Sequence, residues 1–303
     1  MKRILFIAGW LATRPALVAA QASLPVILQL PGSTRALGLG NAYPLASPDP
    51  EVLFYNPALI DAVRGMNGSV ALYGESGNLF SVAAATDWWR GSVALGVQTL
   101  SYGEFVPETD NLRPLDPGIP TRNVDRTTSS HVGSVAWARS FFGFRFGVAA
   151  KLIDQRVAGE HDVTVAGDIG VARNIGRFVV GLAGRNLGRD PEFAGFNSEL
   201  PTSVSLAAAT RTVAVGPLDV GVAATGSRYR DERFGAGGGI EAAYWPISGR
   251  TFAARVGLRW LEDSDLVPIT IGGGFTGDRI GIDYAYEGVD NGDAVHRLTV
   301  RWR

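Results

Sequence analysis

The stretch TFAARVGLRW, Thr251 to Trp260, sorts its residues by parity. Phe252, Ala254, Val256, Leu258 and Trp260 are apolar, while the interleaved Ala253, Arg255, Gly257 and Arg259 are small or charged. Successive side chains of a β-strand point to opposite faces, so this segment has one oily face and one small or polar face. The pattern recurs. Phe144, Phe146, Val148, Ala150 and Leu152 alternate with Arg145, Gly147, Ala149 and Lys151. Val163, Val165, Ile169 and Val171 bracket Asp168, and Ile280, Ile282, Tyr284 and Tyr286 bracket Asp283. From residue 68 onward the period is two almost throughout.

A soluble sandwich also alternates, so three further features decide between architectures. The segments run to roughly 9–13 residues, longer than the ~5–6 of ordinary strands and matched to the ~9–11 of a tilted membrane-spanning strand. Aromatics collect at segment ends, among them Trp88, Trp89, Tyr102, Trp245, Trp260, Tyr284 and Trp302, as two interfacial girdles require. Connections sort by parity. Those after odd-numbered segments include 103–127 and 188–199, whereas those after even-numbered ones are as short as Trp89-Arg90 and Gly277-Asp278. Outer-membrane barrels have long outer loops and short periplasmic turns. The expected fold is therefore all-β: a closed antiparallel transmembrane barrel of about fourteen strands over residues 68–303, the first near 68–76 and others near 91–102, 200–212, 250–261 and 266–276. Closure follows from the solvent, because an open edge in lipid leaves backbone groups unpaired. The inward face is predicted to carry Arg145, Lys151, Asp168, Asp219, Glu241, Arg255, Arg259, Asp283, Arg297 and Arg301, whose mixed signs predict ion pairs across the lumen.

Composition narrows the classes further. Glycine is 39 of 303 residues, which favours strands and tight turns. Formal net charge is -1, so no bulk attraction to nucleic acid is expected. The absence of cysteine removes disulfides, thiolate catalysis and Cys-based zinc sites. Residues 1–22 read as a signal peptide, with Met1-Lys2-Arg3 as the basic start, Ile4 to Ala12 as the apolar core and Ala20-Gln21-Ala22 before the cleavage point. The expected location is the bacterial outer membrane, with its lipid as the first partner.

Residues 23–67 do not alternate. Pro44, Pro48, Pro50 and Pro57 each lack a backbone donor and argue against a central strand. GLGNAY, Gly38 to Tyr43, lacks the third glycine and the Lys-Ser/Thr of a phosphate loop. Leu53, Phe54, Tyr55, Leu59 and Ile60 need burial, which a plain linker does not provide. The segment is expected inside the barrel mouth as a hatch or plug, with one helical turn begun by Asn56 as N-cap and Pro57 at the first position.

The stretch STRALGLGNAYPLASPDPEVLFYNPALI, Ser33 to Ile60, resembles the N-terminal hatch signature of the FadL-like superfamily of outer-membrane barrels. More narrowly it looks like the PorV/PorQ branch associated with type IX secretion, leaning to PorQ. Arg35-Ala36-Leu37-Gly38 matches that branch's Arg-Ala-Leu-Gly, and Asn56-Pro57-Ala58 its Asn-Pro-Ala. Gly96–Phe105, Gly184–Gly188 followed by Glu199–Pro201, and the closing HRLTVRW also fit. The resemblance implies hatch-motif residues Arg35, Gly38, Gly40, Asn56, Pro57 and Ala58. It implies an accessory barrel of type IX-like protein secretion, docking sorting-domain cargo and the subunits of the secretion and attachment complexes. The wider superfamily implies the alternative: passive transport of hydrophobic small molecules across the outer membrane, with the hatch shifting and Leu53, Phe54, Leu59 and Ile60 lining the pocket.

Enzymatic readings have little to stand on. His161-Asp162 has no nucleophile elbow or oriented base beside it, and Glu108, Asp110 and Asp116 lack calcium-loop spacing. The chain is expected to be neither an enzyme nor the holder of a cofactor or metal.

Overall fold

A computed structural model describes residues 25–74, 77–102, 128–157, 160–193, 196–262, 266–289 and 294–302. The signal segment and the acidic loop 103–127 fall outside the described residues. Fourteen strands form the wall: β1 (Gly65–Tyr73), β2 (Gly77–Trp88), β3 (Gly91–Tyr102), β4 (Thr128–Phe141), β5 (Phe144–Val157), β6 (Glu160–Ile175), β7 (Phe178–Gly188), β8 (Ser203–Thr210), β9 (Leu218–Tyr229), β10 (Phe234–Ile247), β11 (Arg250–Leu261), β12 (Leu266–Thr276), β13 (Ile280–Val289) and β14 (Ala294–Trp302). Each pairs antiparallel with its neighbour in sequence. β14 returns to pair with β1, Trp302 opposite Met66 and His296 opposite Leu72, so the sheet is closed. No described helix is long and apolar enough to cross a membrane, a statement that does not bear on a barrel.

The alternation sorts the two faces as the sequence requires. On adjoining positions Leu79 and Ser81 are buried while Phe80 is 52% exposed; Ala94 is buried while Leu95 is 62% exposed. The exposed residues are the apolar ones because their solvent is hydrocarbon. Tyr102 departs from the girdle pattern: it turns inward and packs on the cluster of Leu79, Leu100 and Ile153.

Two strands, β1 and β8, differ from expectation by two or more residues at both ends. β1 starts three residues early and ends at Tyr73, because Gly74 takes a left-handed φ of 57° that turns the chain. The segment expected at 200–212 does not begin until Ser203. Pro201 has no amide for a ladder, and the Leu200 amide is spent on Asp190 Oδ1 at 2.9 Å. β8 then breaks. Ala209 faces Ala223 and Val213 faces Val220, so Thr210, Arg211 and Thr212 oppose only Gly221 and Val222. One extra residue on one strand is a β-bulge. After it, Val213–Val215 continues as a short strand beside β9. A two-residue hairpin, Glu192–Phe193 with Phe196–Asn197, was not legible in the sequence.

Residues 25–63 fold into four short helical turns, and each of the three later ones has a side-chain cap. Ser33 Oγ accepts from the Ala36 amide ahead of α1 (Thr34–Leu37). Asp49 Oδ1 accepts from the Glu51 amide at 3.0 Å before the 3-10 turn Pro50–Phe54. Asn56 Oδ1 accepts from the Ala58 amide at 3.0 Å before the 3-10 turn Pro57–Ala62, as the Asn-Pro pair predicts. These turns touch the inner faces of strands on opposite sides of the ring. Leu53, Leu59 and Ile60 pack with the wall alanines Ala83, Ala94, Ala136 and Ala149. Leu37 packs with Ala285 and Val295. Nearer the loop end, the turn Val26–Leu28 drives Ile27 among Leu79, Leu100, Val132 and Ile153. The lumen is therefore a packed core.

Candidate functional site

The wall makes room for this segment by giving up side chains. A Cβ at Gly96 would lie 2.7 Å from Leu53 Cδ2, and one at Gly239 would lie 2.7 Å from the Leu39 Cα. Gly40 answers the question of its own motif. Its φ is 68°, its amide donates to Thr270 Oγ1 at 3.0 Å, and a Cβ there would collide with the Leu258 carbonyl. The Gly38-x-Gly40 pair thus serves close approach of two backbones, with the Gly38 Cβ position 3.2 Å from the Cα of Gly272.

Two arginine-centred networks tie segment to wall. In the first, Arg35 donates to the Ser47 carbonyl at 2.8 Å and to Glu241 Oε1 at 3.2 Å. Glu241 accepts from Arg255 Nε at 2.5 Å, Arg255 Nη1 donates to Asp283 Oδ1 at 2.8 Å, and Asp283 Oδ2 accepts from Arg301 Nε at 2.6 Å. Asp49 Oδ2 lies 3.9 Å from Arg35, while Asp49 Oδ1 accepts from the Tyr43 hydroxyl at 2.9 Å. Burial pushes the Asp49 carboxyl above its ordinary range, against the pull of Arg35. In the second network Arg297, 1% exposed, donates to the Pro31 and Gly32 carbonyls at 2.8 and 3.0 Å and to Ser69 and Ser81 hydroxyls at 2.7 and 2.9 Å. Thr299 Oγ1 meets Thr34 Oγ1 at 2.6 Å and donates to Glu51 Oε1 at 3.2 Å. Burial and the neighbouring Asp49 carboxylate raise Glu51 to about 7, against the opposing charge of Arg297.

The expected inward charges do not act as one set. Glu241, Arg255 and Asp283 join with Arg35 in the first network. Lys151 and Asp168 form a separate buried pair at 2.7 Å, with Lys151 also donating to Asn186 Oδ1. Arg259 pairs with Glu287 at 2.9 Å, and Arg145 stands apart at the short-turn end, bonded to Asn174. The pairs run along the wall between nearby strands, not across the lumen as the mixed signs predict, because the N-terminal segment occupies the middle. Asn56, Pro57 and Ala58 sit against β5, β6 and β7. Asn56 Nδ2 donates to the carbonyls of Val171 and Leu182, both at 3.3 Å, and Gly147 and Gly170 leave the space that Ala58 and Asn56 fill. Sequence reasoning missed Tyr43, Asp49, Glu51 and Thr299. Buried charge among prolines at Asp49-Pro50-Glu51 was the available signal.

Among the described residues, two cavities lie inside the wall beside β7–β9. A small one of about 40 Å³ lies between Tyr43, Leu45, Tyr55 and the wall residues Gly181, Ser205 and Thr225. A larger one of about 260 Å³ lies between Leu39, Pro44, Ala46 and the wall residues Ala209, Gly221 and Ala223, directly behind the β8 bulge. Leu45, 1% exposed, lines the smaller one, and its chain neighbours Pro44 and Ala46 line the larger. A polar vestibule of about 340 Å³, lined by Arg35, Asp49, Asn67 and Arg301, opens at the short-turn end. Leu53, Phe54, Leu59 and Ile60, expected to line a ligand pocket, are instead consumed in the core. Among the described residues no cluster of potential metal ligands occurs.

This architecture matches solved barrels along most of its length. The P. putida toluene transporter TodX aligns over 88% of this chain and 95% of its own, at 12% identity and a TM-score of 0.51. The monoaromatic hydrocarbon channel CymD aligns over 88% and 94%, at 11% identity and a TM-score of 0.55. A P. aeruginosa FadL homologue aligns over 89% and 98%, at 11% identity and a TM-score of 0.51. No family model matches the chain, and no curated protein matches it in sequence. The chain is a closed fourteen-stranded antiparallel barrel whose fold is similar to those of TodX, CymD and the FadL homologue. The narrower likeness to the PorV/PorQ branch gains no support from these neighbours, and neither do secretion-system partners.

Proposed function

We propose that the protein is a passive channel of the bacterial outer membrane for small hydrophobic molecules, with residues 25–63 as its hatch. The carrying observation is the pair of cavities between that segment and β7–β9, Leu45 lining the smaller and its neighbours Pro44 and Ala46 the larger, so that Leu45 is the proposed divider. On this flank the inner wall includes the small residues Gly181, Ala207, Ala209, Gly221 and Ala223, with Arg185 and Tyr229 at one end and Arg211 and Glu241 at the other. A cavity of about 260 Å³ approaches the ~300 Å³ lower end of ordinary ligand sites. The route runs from Tyr229 and Arg185 near the loop end, past Leu45, to the bulge at Thr210–Thr212. The two arginine networks hold the hatch at Arg35, Ser47, Pro31 and Gly32, on either side of the 39–46 stretch that lines the cavities. The reading is supported by the hydrocarbon channels of the same fold and assigns the chain no bond-making chemistry. Uptake of a radiolabelled monoaromatic hydrocarbon and of a medium-chain fatty acid would be measured in cells expressing the chain. Faster entry of either than in vector-only cells is expected; equal entry of both, with no hydrophobic ligand retained by the purified protein, sinks the reading.

A further inference from the structure

The short-turn end carries a charge pattern that, Arg211 at the larger cavity apart, the passage does not use. Arg90, Arg139, Arg145, Arg173, Arg177 and Arg211 stand on the four neighbouring turns from β2–β3 round to β8–β9, exposed or half-buried. Among the described residues none of the six forms an ion pair. Of the carboxylates of this sector, Asp87 pairs with Arg64, and Asp61 accepts from Ser140 Oγ at 2.5 Å and acts on Arg145 alone of the six. At the opposite rim, among the described residues, Arg156 and Arg228 also form no ion pair, but three arginines are neutralised. There Arg189 holds Glu192, Arg230 holds Asp190 and Arg233 holds Asp231.

Two of the six are fixed on the outer surface of the wall. Arg139 stacks 4.4 Å over the Phe141 ring, and Arg173 stacks 4.5 Å over the Phe144 ring. By strand parity these four side chains share the outward face with Val135, Val148 and Ile169, which are 46–55% exposed. The guanidiniums therefore sit at the lower border of the apolar band, where lipid headgroups lie. The turn tips between them are strained. Trp89, Arg90 and Phe142 take φ of 36°, 60° and 49°, positions that favour glycine or asparagine. That strain projects Trp89 and Phe142, 78% and 99% exposed, out of the protein. Aromatic rings with a wet edge belong at a membrane interface, and unpaired arginines beside them suit phosphate.

We propose that this rim is a docking surface for anionic phospholipid headgroups of the periplasmic leaflet, held by Arg139 and Arg173 with Arg90, Arg177 and Arg211. The outward placement of the stacked pair favours lipid over an acidic periplasmic protein, which would approach from below the turns. The proposal rests on reading the barrel as embedded in the outer membrane with its short turns at the periplasm. The full chain would be reconstituted in nanodiscs of equal phosphatidylglycerol and phosphatidylethanolamine with identical acyl chains, and retained lipids counted by native mass spectrometry. Phosphatidylglycerol is expected in about five-fold excess over its share. Arg139→Gln/Arg173→Gln/Arg177→Gln should abolish the excess, and Arg228→Gln/Arg230→Gln at the other rim should keep it. Equal retention of the two lipids by the unaltered chain, or equal loss in both variants, overturns the proposal. Loss of the excess on adding inorganic phosphate assigns the site to free phosphate and also overturns it. If the triple variant does not fold, the single Arg173→Gln variant should show a partial loss, and an unchanged ratio overturns the proposal. Failure of the chain to enter nanodiscs at all would instead remove the membrane reading.

Discussion

Gly239 and Gly133 look alike in the sequence and differ completely in what surrounds them. A Cβ at Gly239 would press on the Leu39 backbone and the Val256 carbonyl, both at 2.7 Å, whereas at Gly133 nothing lies within 4 Å. Gly239→Ala should loosen the hatch by about 1–3 kcal/mol, as overpacking does, while Gly133→Ala stays neutral or stabilises by under ~1 kcal/mol. Thermal loss of the compact electrophoretic form, with tryptic release of residues 25–63, separates the two. Glu51 gives a pH signature at the same scale. Its folded value of about 7 lies above the ordinary 4.5, so the folded state binds the extra proton. Its contribution to docking is full below pH 4.5, falls as pH rises through about 7 and is constant above. Hydrogen exchange of the 50–60 amides should therefore speed up over that window in the parent chain and show a flatter profile in Glu51→Gln. An identical profile in both would remove Glu51 as the titrating group. Neither the collision at Gly239 nor the burial of Glu51 was legible in the sequence, because each depends on which strand faces which turn of the hatch.

At the scale of elements, legibility followed the strength of the local signal. β3, β11 and β12 match the expected segments at both ends, since alternation sets the middle and tight turns set the limits. β8 escaped because its bulge keeps the composition of a strand while shifting the register. In the hatch, the Asn56-Pro57 turn was readable because cap and first residue are adjacent. The turns at Thr34 and Pro50 were missed because their caps, Ser33 and Asp49, sit among other loop-forming residues. Asn56 joins two elements with one side chain, its oxygen capping the Pro57–Ala62 turn and its nitrogen bonding the β6 and β7 carbonyls. Asn56→Ala should destabilise hatch docking by about 1–3 kcal/mol through the lost cap and two unmet carbonyls. Asn56→Asp retains the cap yet turns a carboxylate oxygen on those carbonyls, so it should cost at least as much at pH 7. Comparing urea midpoints for hatch release checks the order; an Asp variant equal to the parent would show that the wall bonds are unimportant.

For the whole molecule, a closed wall alone says nothing about permeation, because the lumen is filled and function depends on where the filling is thinnest. On the proposed reading that place is the β7–β9 flank, where the two cavities lie between residues 39–47 and the wall. The barrel itself was written in the parity of its residues. The passage was not, since it arises from two surfaces far apart in sequence that fail to meet. If the passage is the route, its bottleneck should respond in opposite directions to opposite changes in volume. Leu45→Ala removes the divider and should raise hydrocarbon uptake severalfold, at a stability cost of about 2–5 kcal/mol. Ala223→Phe, on the inner wall of the larger cavity, should lower uptake toward the vector-only rate while Ala224→Phe, one residue along on the lipid face, leaves it unchanged. Measuring initial uptake rates at matched amounts of folded protein isolates the lumen from expression effects. Because Ala223 and Ala224 differ in facing but not in composition, equal rates in those two variants would mean that hydrophobic molecules do not pass along this flank.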